Sequence, residues 1–300
     1  MNFVLRQELR PTNEALSGRG IDCVVLKGIP LAQRLYGTLA RRGMIDNDIM
    51  VHKCDVILAV ETLAAIGYRP LPFRKLESDL EIDFQFSMIR EAPHARHVTV
   101  DLHWNAFPPS LFPVNEALLW HRIEHFDLAG TEIKVFDKAM TLVHLASHFV
   151  QHRLASPRIL DDLAAGWNLW HQTIDKEDLL DLARQTGVIH ALDFALSAAS
   201  ELGMLDAPPP SIGSPKAARL RRLLPASRLL EKPSYPNYYR AALSLLLVNP
   251  ARIPGWLRLE VFPPIGRMAA IYERQITPGL YLRYLGRPFH PLLRERIRDH

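Results

Sequence analysis

Apolar and polar positions in the first 110 residues alternate between strand and helix patterns. A β-branched run at 21–26 predicts a strand that ends at Lys27-Gly28, and Pro30 suits the first turn of a short helix at 30–36. After a polar loop, the stretch IDNDIMV predicts a second strand, and apolar residues recur at helical spacing over 55–66. This alternation is typical of a mixed α/β module.

Three further stretches of this part have strand character, at 68–73, 80–89 and 97–104, and the first is expected at a sheet edge. From about residue 113 the pattern changes to long helical periods, apart from a hairpin expected over 122–136. Helices are predicted at 138–153, 158–170, 176–185, 191–202, 217–230 and 238–247.

Length and composition favour two domains with a sizeable buried core, since the chain has 300 residues of which 48% are hydrophobic. We predict an α/β core at 1–110 and a mainly helical domain at 111–300, which makes the fold class α+β. The proline run at 208–210 is interpreted as a connector inside the second domain.

The charge balance is mildly basic, with a net charge of +4 and a pI near 9.1. Nucleic acid is not an expected partner, because the basic residues form no stripe with interleaved aromatic residues. The arginine-rich stretch at 283–300 is interpreted as a solvated tail, and contact with an anionic surface is the alternative.

Cysteine usage and the N-terminus predict a cytoplasmic protein. Cys23 and Cys54 are too few for a disulfide framework and lack the paired spacing of a zinc site. Charges at Arg6, Glu8 and Arg10 interrupt any signal-peptide core, and no apolar run reaches the roughly 18 residues of a membrane span. We therefore expect no membrane partner.

Two acidic residues interrupt the apolar stretch IDNDIMV. Asp46 and Asp48 are two apart, so in a strand their side chains share one face, about 7 Å apart along the chain. The two carboxylates repel each other, and a magnesium ion held by carboxylates and substrate phosphates would relieve that repulsion. The alternative is a solvated edge strand whose polar residues point outward.

The stretch HVTVDLHW supplies a third acid, Asp101, on the same strand face as His103. Three carboxylates on neighbouring strands can hold two divalent cations about 4 Å apart. Glu81 and Asp83 have the same spacing as Asp46 and Asp48, and on the residues alone they compete with Asp101 for the third position.

A glycine turn, VVLKGIP, lies between the first strand and the first short helix. Gly28 lets backbone N–H groups approach a phosphate at the start of the helix, and Lys27 can add a positive charge against the same phosphate. Most turns of this kind only connect elements. The acids that follow the turn are therefore needed to support its interpretation as a phosphate-binding turn.

The order of these motifs resembles that of nucleotidyltransferases of the DNA polymerase β superfamily. More narrowly, VVLKGIPLAQRLYG, RRGMIDNDIMV, LAAIGYRP and VDLHW resemble a bacterial family described as uncharacterised nucleotidyltransferases. The resemblance covers roughly residues 21–107 and continues more weakly through HLASHFVQHRLASPRILDDLAAGW.

This resemblance implies a polymerase β-like α/β module with a mixed sheet, followed by helices. It implies that Asp46, Asp48 and Asp101 are catalytic metal ligands for two Mg²⁺ ions, with Gly28 in the phosphate turn. The substrates it implies are an NTP, expected to be ATP, and an unidentified acceptor. One departure is that Ile29 follows Gly28 where many members have serine or glycine, so Lys27 is expected to replace a serine contact to phosphate.

Several polar residues are candidates for the acceptor or nucleotide pocket: His103, Arg42, Arg158 and Asp162. His103 is expected to orient Asp101 or to contact the acceptor, and the alternative is a histidine at the strand end that packs beneath a loop. Trp104 is expected in the core.

A row of histidines at 144, 148 and 152 repeats every fourth residue. We predict that it forms a polar seam against the α/β module. A zinc site is the alternative, but it lacks the His-Glu-x-x-His motif.

Two functions from different classes remain open at the level of the sequence. The first is magnesium-dependent nucleotidyl transfer, and the second is a catalytically inactive binding or regulatory protein with the same fold. On the sequence alone, Asp48→Asn is expected to leave the stability of the metal-free protein unchanged or slightly raised, because it relieves repulsion from Asp46.

Overall fold

The computed structural model describes residues 2–72, 76–92, 95–231, 238–263, 268, 277–279 and 281–282. These residues form an α+β fold with a mixed sheet near the N-terminus and a helical C-terminal region, which confirms the predicted fold class. The arginine-rich tail from residue 283 lies outside the described residues. No helix within the described ranges is long and apolar enough to cross a membrane.

A five-stranded sheet forms the centre of the N-terminal part. Its strand order is β1-β2-β5-β4-β3, and β2 and β5 are parallel while the other pairs are antiparallel. The strands are β1 Cys23–Val25, β2 Asp46–Val51, β3 Arg69–Pro70, β4 Gln85–Ala92 and β5 Ala95–His103. All five were expected near these positions, and β3 is the predicted edge strand.

The register of β2 and β5 fixes the position of the acids. Asp48 lies directly opposite Asp101 in the parallel pair. Because side chains alternate between the faces of a strand, Asp46 lies on the same face as these two. The opposite face is apolar, and its Ile49 and Val100 are fully buried.

The helices of the N-terminal part flank this sheet. They are α1 Asn2–Gly18, α2 Ile29–Tyr36, α3 Val56–Ala65, α4 Leu76–Ile82 and α5 Glu116–Trp120. Helix α1 was not predicted, because Pro11 and scattered charges obscure its pattern. Its apolar side chains Leu5, Leu9 and Leu16 are nevertheless buried against the apolar face of the sheet.

One strand prediction was wrong at its start. The range 80–89 was expected to be a single strand, but residues up to Ile82 belong to α4 and the strand begins at Gln85. The chain turns at Asp83, whose carboxylate accepts a hydrogen bond from the N–H of Phe84. Alternating polarity in LEIDFQF favoured a strand, and the acidic first turn of α4 was the helix signal that this pattern masked.

The predicted hairpin is confirmed as β6 Ile123–Asp127 and β7 Glu132–Phe136. Its turn places Ala129 and Gly130 at positive φ, a conformation that favours glycine and costs alanine energy. The N–H of Gly130 is bound by the Asp127 carboxylate. Strand β7 packs beside β1 and extends the core beneath the sheet.

Helices dominate the rest of the described chain. They are α6 Lys138–Gln151, α7 Pro157–Trp170, α8 Lys176–Gln185, α9 Ile189–Glu201, α10 Pro215–Leu223, α11 Tyr238–Ser244 and α12 Ile253–Val261. Every helix predicted here is present, although α10 and α11 are shorter than expected and α12 was missed. The side chains of Asp137, Asp175 and Ser214 cap α6, α8 and α10.

The helical region packs on the sheet face that carries the acids. Val24, Leu26 and Met50 from this face share one continuous apolar core with the helices, and α6 is buried along almost its whole length. The domain division near residue 110 stays a prediction. The shared core places the acids of β2 and β5 between the sheet and the helical region.

Candidate active site

Three side chains converge on this face of the sheet. Asp48, Asp101 and His103 each offer one ligand atom, and these atoms all lie within 4.8 Å of one another. The parallel register brings the two acids side by side, and alternation places His103 two residues further along the same face of β5. Two carboxylate oxygens and an imidazole nitrogen are a donor set that divalent metals accept.

Asp48 is almost completely buried and is paired with two donors. Lys27 Nζ and His103 Nε2 each lie 3.1 Å from its Oδ1. Burial opposes its ionisation, but the charge of Lys27 and the hydrogen bond from His103 outweigh burial and bring the pKa of Asp48 well below its usual range. Asp48 is therefore a carboxylate whose charge is neutralised within the protein.

Asp46 differs from Asp48 although the two share a strand face. It is half-buried, and its carboxylate makes no hydrogen bond or ion pair within the described part of the chain. Burial, and then the negative charge of Asp48, raise its pKa to about 6. Asp46 is also outside the compact group formed by Asp48, Asp101 and His103. The repulsion expected between the two carboxylates therefore appears as the raised pKa of Asp46.

Asp101 is held by the neighbouring strand β4. Gln85 Nε2 donates a hydrogen bond of 3.2 Å to its Oδ2, and Ser87 lies directly opposite it in the antiparallel register. Burial and the charge of Asp48 raise the pKa of Asp101. A carboxylate with a raised pKa is suited to accept a proton near neutral pH.

His103 is buried and orients Asp48, rather than the adjacent Asp101. Its other ring nitrogen, Nδ1, is buried and has no hydrogen-bond partner among the described residues. An unpaired buried polar atom is uncommon, and it marks a position where a ligand or ion would supply the missing contact. Trp104 is buried in the core beneath the sheet, as predicted.

Gly28 begins α2 at the edge of this cluster. Its φ of 74° and ψ of −126° lie in a region that favours glycine, and a Cβ here would lie 3.7 Å from the Asp46 carbonyl oxygen. Pro30 occupies the first turn of the helix, as predicted. The backbone of the Lys27-Gly28 turn therefore runs alongside the start of β2.

The histidine row of α6 faces the same cluster. His148 Nε2 lies 3.3 Å from Lys27 Nζ, and its Nδ1 lies 3.1 Å from Gln151 Oε1. Burial, and then the charge of Lys27, lower the pKa of His144 to about 3, that of His152 to about 4 and that of His148 well below its usual value. The row is neutral, so His148 accepts a hydrogen bond from Lys27. The predicted polar seam against the α/β module is confirmed at this contact.

Arg42 and Asp162 form a buried pair next to the site. Arg42 Nε lies 2.8 Å from Asp162 Oδ2, and the Tyr36 hydroxyl donates to Asp162 Oδ1 at 2.8 Å. Arg158 donates to the Gly43 carbonyl at 2.7 Å. These contacts attach the segment before β2 to α7. A role for these residues in binding nucleotide or acceptor stays a prediction.

Removal of the Arg42 charge should destabilise the protein. Arg42→Met leaves the fully buried Asp162 without a cation, so we expect the free energy of unfolding to fall by about 3 kcal/mol. Urea denaturation measures this change, with Arg41→Met at the neighbouring exposed position as the control. Equal, small effects of the two substitutions would contradict a stabilising role for the buried pair.

Two asparagines that the sequence analysis did not identify hold β2 in place. Asn2 donates to the carbonyls of Leu39 and Arg42 and accepts from the N–H of Met44. Asn47 donates to the Leu5 carbonyl at 3.1 Å. Their partners are backbone groups far away in sequence, so no residue pattern could have revealed them.

A cavity of about 570 Å³ lies between the end of the sheet, α6 and α12. Phe84 and His152 line it. The ring centroids of Phe84 and His103 are 5.9 Å apart, and those of His152 and His148, the partner of Lys27, are 4.3 Å apart. Trp256 lies on the far wall. No sequence pattern marks this cavity, because its walls come from segments distant along the chain.

The chain belongs to the family described as "Uncharacterised nucleotidyltransferase", whose match covers residues 1–203. This confirms the resemblance found in the sequence motifs. The matched region contains the sheet, the acids and the histidine row, whereas Trp256 and the rest of α12 lie beyond it. A search of curated proteins found no match.

Proposed function

We propose that the protein is a magnesium-dependent nucleotidyltransferase that moves a nucleoside monophosphate from an NTP, with ATP as the proposed donor, to an acceptor of unknown identity. The observation that supports this most directly is the excess of carboxylates over cations in a half-enclosed site. Asp46, Asp48 and Asp101 share one strand face, and only Lys27 is paired with any of them as a permanent cation among the described residues. Family membership supports the same class of reaction.

The three carboxylates fit Mg²⁺. Carboxylate oxygens are its preferred protein ligands, and the raised pKa values of Asp46 and Asp101 indicate negative charge that the protein leaves uncompensated. We propose Asp46, Asp48 and Asp101 as the ligands, with His103 orienting Asp48. When bound, two ions would neutralise these charges and stabilise the charge that develops on the phosphates.

The remaining residues would position the substrates. The Lys27-Gly28 turn at the start of α2 would contact the triphosphate, because backbone N–H groups and a lysine favour its negative charge. In the transfer itself, an acceptor oxygen bonds to the α-phosphorus, the bond to pyrophosphate breaks, and the acceptor proton passes to a base. Asp101, which lies directly opposite Asp48 on the same face of the sheet, is the proposed base.

The reaction is tested with ATP labelled at the α-phosphate and a cell extract as the source of acceptor. The proposal predicts Mg²⁺-dependent transfer of the label to an extract component, with release of pyrophosphate. Binding of Mg-ATP without pyrophosphate release across acceptor screens would instead favour the alternative, an inactive binding or regulatory protein. The internal pairing of Asp48 with Lys27 is the feature that favours this alternative.

We propose that the cavity bounded by Phe84 and Trp256 receives the acceptor. Its wall reaches His103 through Phe84 and His148 through His152, and its lining combines aromatic, polar and charged groups, as ligand pockets do. The family match ends before α12. The part of the cavity wall that α12 forms would therefore make the site specific for the acceptor of this particular protein.

Trp256→Ala separates binding of the acceptor from binding of the nucleotide. We expect label transfer at low acceptor concentration to fall about fivefold, because a lost aromatic contact costs roughly 1 kcal/mol, while Mg-ATP affinity stays unchanged. Leu257→Ala on the same helix is the control, since Leu257 is exposed and does not line the cavity. Equal transfer by both variants would exclude this cavity as the acceptor site.

A further inference from the structure

The ammonium group of Lys27 lies against the Asp48 carboxylate, which is a proposed metal ligand. Its Nζ is 3.1 Å from Asp48 Oδ1 and 3.3 Å from His148 Nε2, and its side chain is only 15% exposed. His148 is neutral, so it accepts a hydrogen bond from Lys27 and adds no competing charge. Two acceptors on different elements therefore hold the ammonium against the carboxylate cluster.

A divalent cation on Asp48 and the ammonium in this position repel each other and compete for the same carboxylate. Both are positively charged, and both would contact the same carboxylate group, so their separation would be only a few Å in a buried site. His103 already donates to that oxygen, which leaves little room for a third partner. Binding of a metal ion at Asp48 is therefore opposed as long as Lys27 stays paired with this carboxylate.

We propose that Lys27 is an internal counter-cation which holds the acidic site in the metal-free protein and moves from Asp48 to the triphosphate when metal and nucleotide bind together. This inference rests on the proposed function. The triphosphate is the fitting new partner, because Lys27 directly precedes Gly28 and the start of α2, where an anion is favoured. His148 is then a positioning residue that keeps Lys27 at Asp48 until the exchange.

The exchange couples the two ligands thermodynamically. A metal ion alone must displace Lys27 and leave it without an anionic partner, so it binds weakly. With a triphosphate present, the displaced ammonium gains new acceptors, so metal and nucleotide each strengthen the binding of the other. The free protein would therefore hold little metal in the absence of nucleotide.

Titration with Mn²⁺, followed by electron paramagnetic resonance without nucleotide, tests this exchange. We expect Lys27→Met to bind Mn²⁺ at least about tenfold more tightly than the wild type, because the competing ammonium is gone. The same substitution should weaken binding of ATP in the presence of Mn²⁺. Opposite changes in the two affinities are expected only if Lys27 exchanges between the two ligands.

Three further variants make the test specific. Lys27→Arg keeps the competing charge and should keep the weak Mn²⁺ affinity of the wild type. Lys53→Met removes an exposed lysine just after β2 and should change neither affinity. If Lys27→Met fails to fold, Lys27→Gln retains a hydrogen-bond donor toward Asp48 without the charge and should also bind Mn²⁺ more tightly.

The possible failures are distinguishable. If Lys27→Met and Lys27→Gln bind Mn²⁺ no more tightly than the wild type, and the wild type still binds Mn-ATP, the proposed exchange is wrong and the proposed function survives. If neither the wild type nor any variant binds Mn²⁺, with or without ATP, the proposed function fails and the exchange fails with it.

Discussion

Asp46→Asn is expected to lower nucleotidyl transfer about a thousandfold while leaving the metal-free protein as stable as the wild type or more stable. Loss of one metal-binding charge removes several kcal/mol of transition-state stabilisation, and each 1.4 kcal/mol corresponds to about tenfold in rate. The gain in stability arises because Asp46 lacks a partner cation among the described residues and is repelled by Asp48.

The stability change should depend on pH. Folding raises the pKa of Asp46 from its ordinary value of 3.8 to about 6. The stabilisation that protonated Asp46 contributes is therefore complete below pH 3.8 and is lost as the pH rises through about 6. Without metal, Asp46→Asn should therefore gain about 1 to 2 kcal/mol over the wild type at pH 8 and nothing near pH 4. Thermal melts in a chelator at both pH values measure this difference. A loss of stability at pH 8 would show that Asp46 has a stabilising partner.

Asp48→Asn is expected to lower transfer by a similar factor, but to destabilise the metal-free protein. The substitution leaves Lys27 in a nearly buried position without its carboxylate partner. We expect a loss of about 2 kcal/mol, less than for a fully buried pair because repulsion with Asp46 and Asp101 is relieved at the same time. Chemical denaturation in a chelator measures the loss.

A control for Asp48→Asn is Asp181→Asn, which changes an exposed acid on α8 and should affect neither transfer nor stability. The pKa of Asp48 lies well below its usual range, so its stabilising charge is present above the unfolded-state value and disappears only in strong acid. The destabilisation should therefore persist at pH 5. Unchanged stability at both pH 5 and pH 8 would contradict the Lys27–Asp48 pair.

This second prediction corrects the expectation from the sequence. The spacing of Asp46 and Asp48 correctly indicated a shared strand face, but it treated the two carboxylates as equivalent. Only the folded chain brings Lys27, His103 and His148 to Asp48, through contacts that span up to 121 residues. A fall in metal-free stability on Asp48→Asn consequently does not separate a structural acid from a catalytic one, and Asp46→Asn is the cleaner test.

Local patterns predicted much of the fold and of the acidic site. Strands β2 and β5 followed from alternation, and the parallel pairing of Asp48 with Asp101 agrees with the face assigned to each acid. The helix at 176–185 was predicted at its observed bounds because its cap, charges and apolar spacing agree. Helix α1 was missed because tertiary burial of Leu5 and Leu9 stabilises a segment whose local sequence is ambiguous.

Features made by distant segments could not be predicted. Lys27 was expected to face phosphate, and nothing in its neighbourhood in the sequence identifies Asp48 as its partner in the free protein. The cavity near Trp256 likewise depends on how α12 packs against α6. Sequence patterns report which residues share a face, whereas the choice among possible ion pairs depends on the packing of whole elements.

Isothermal titration of the wild type and Asp46→Asn with ATP, in Mg²⁺ and in a chelator, tests the central claim most directly. The account predicts one ATP site per chain that requires Mg²⁺ in the wild type and is strongly weakened by Asp46→Asn. ATP binding of equal strength in the chelator, or binding that Asp46→Asn leaves unchanged, would contradict a metal-dependent nucleotide site at these carboxylates.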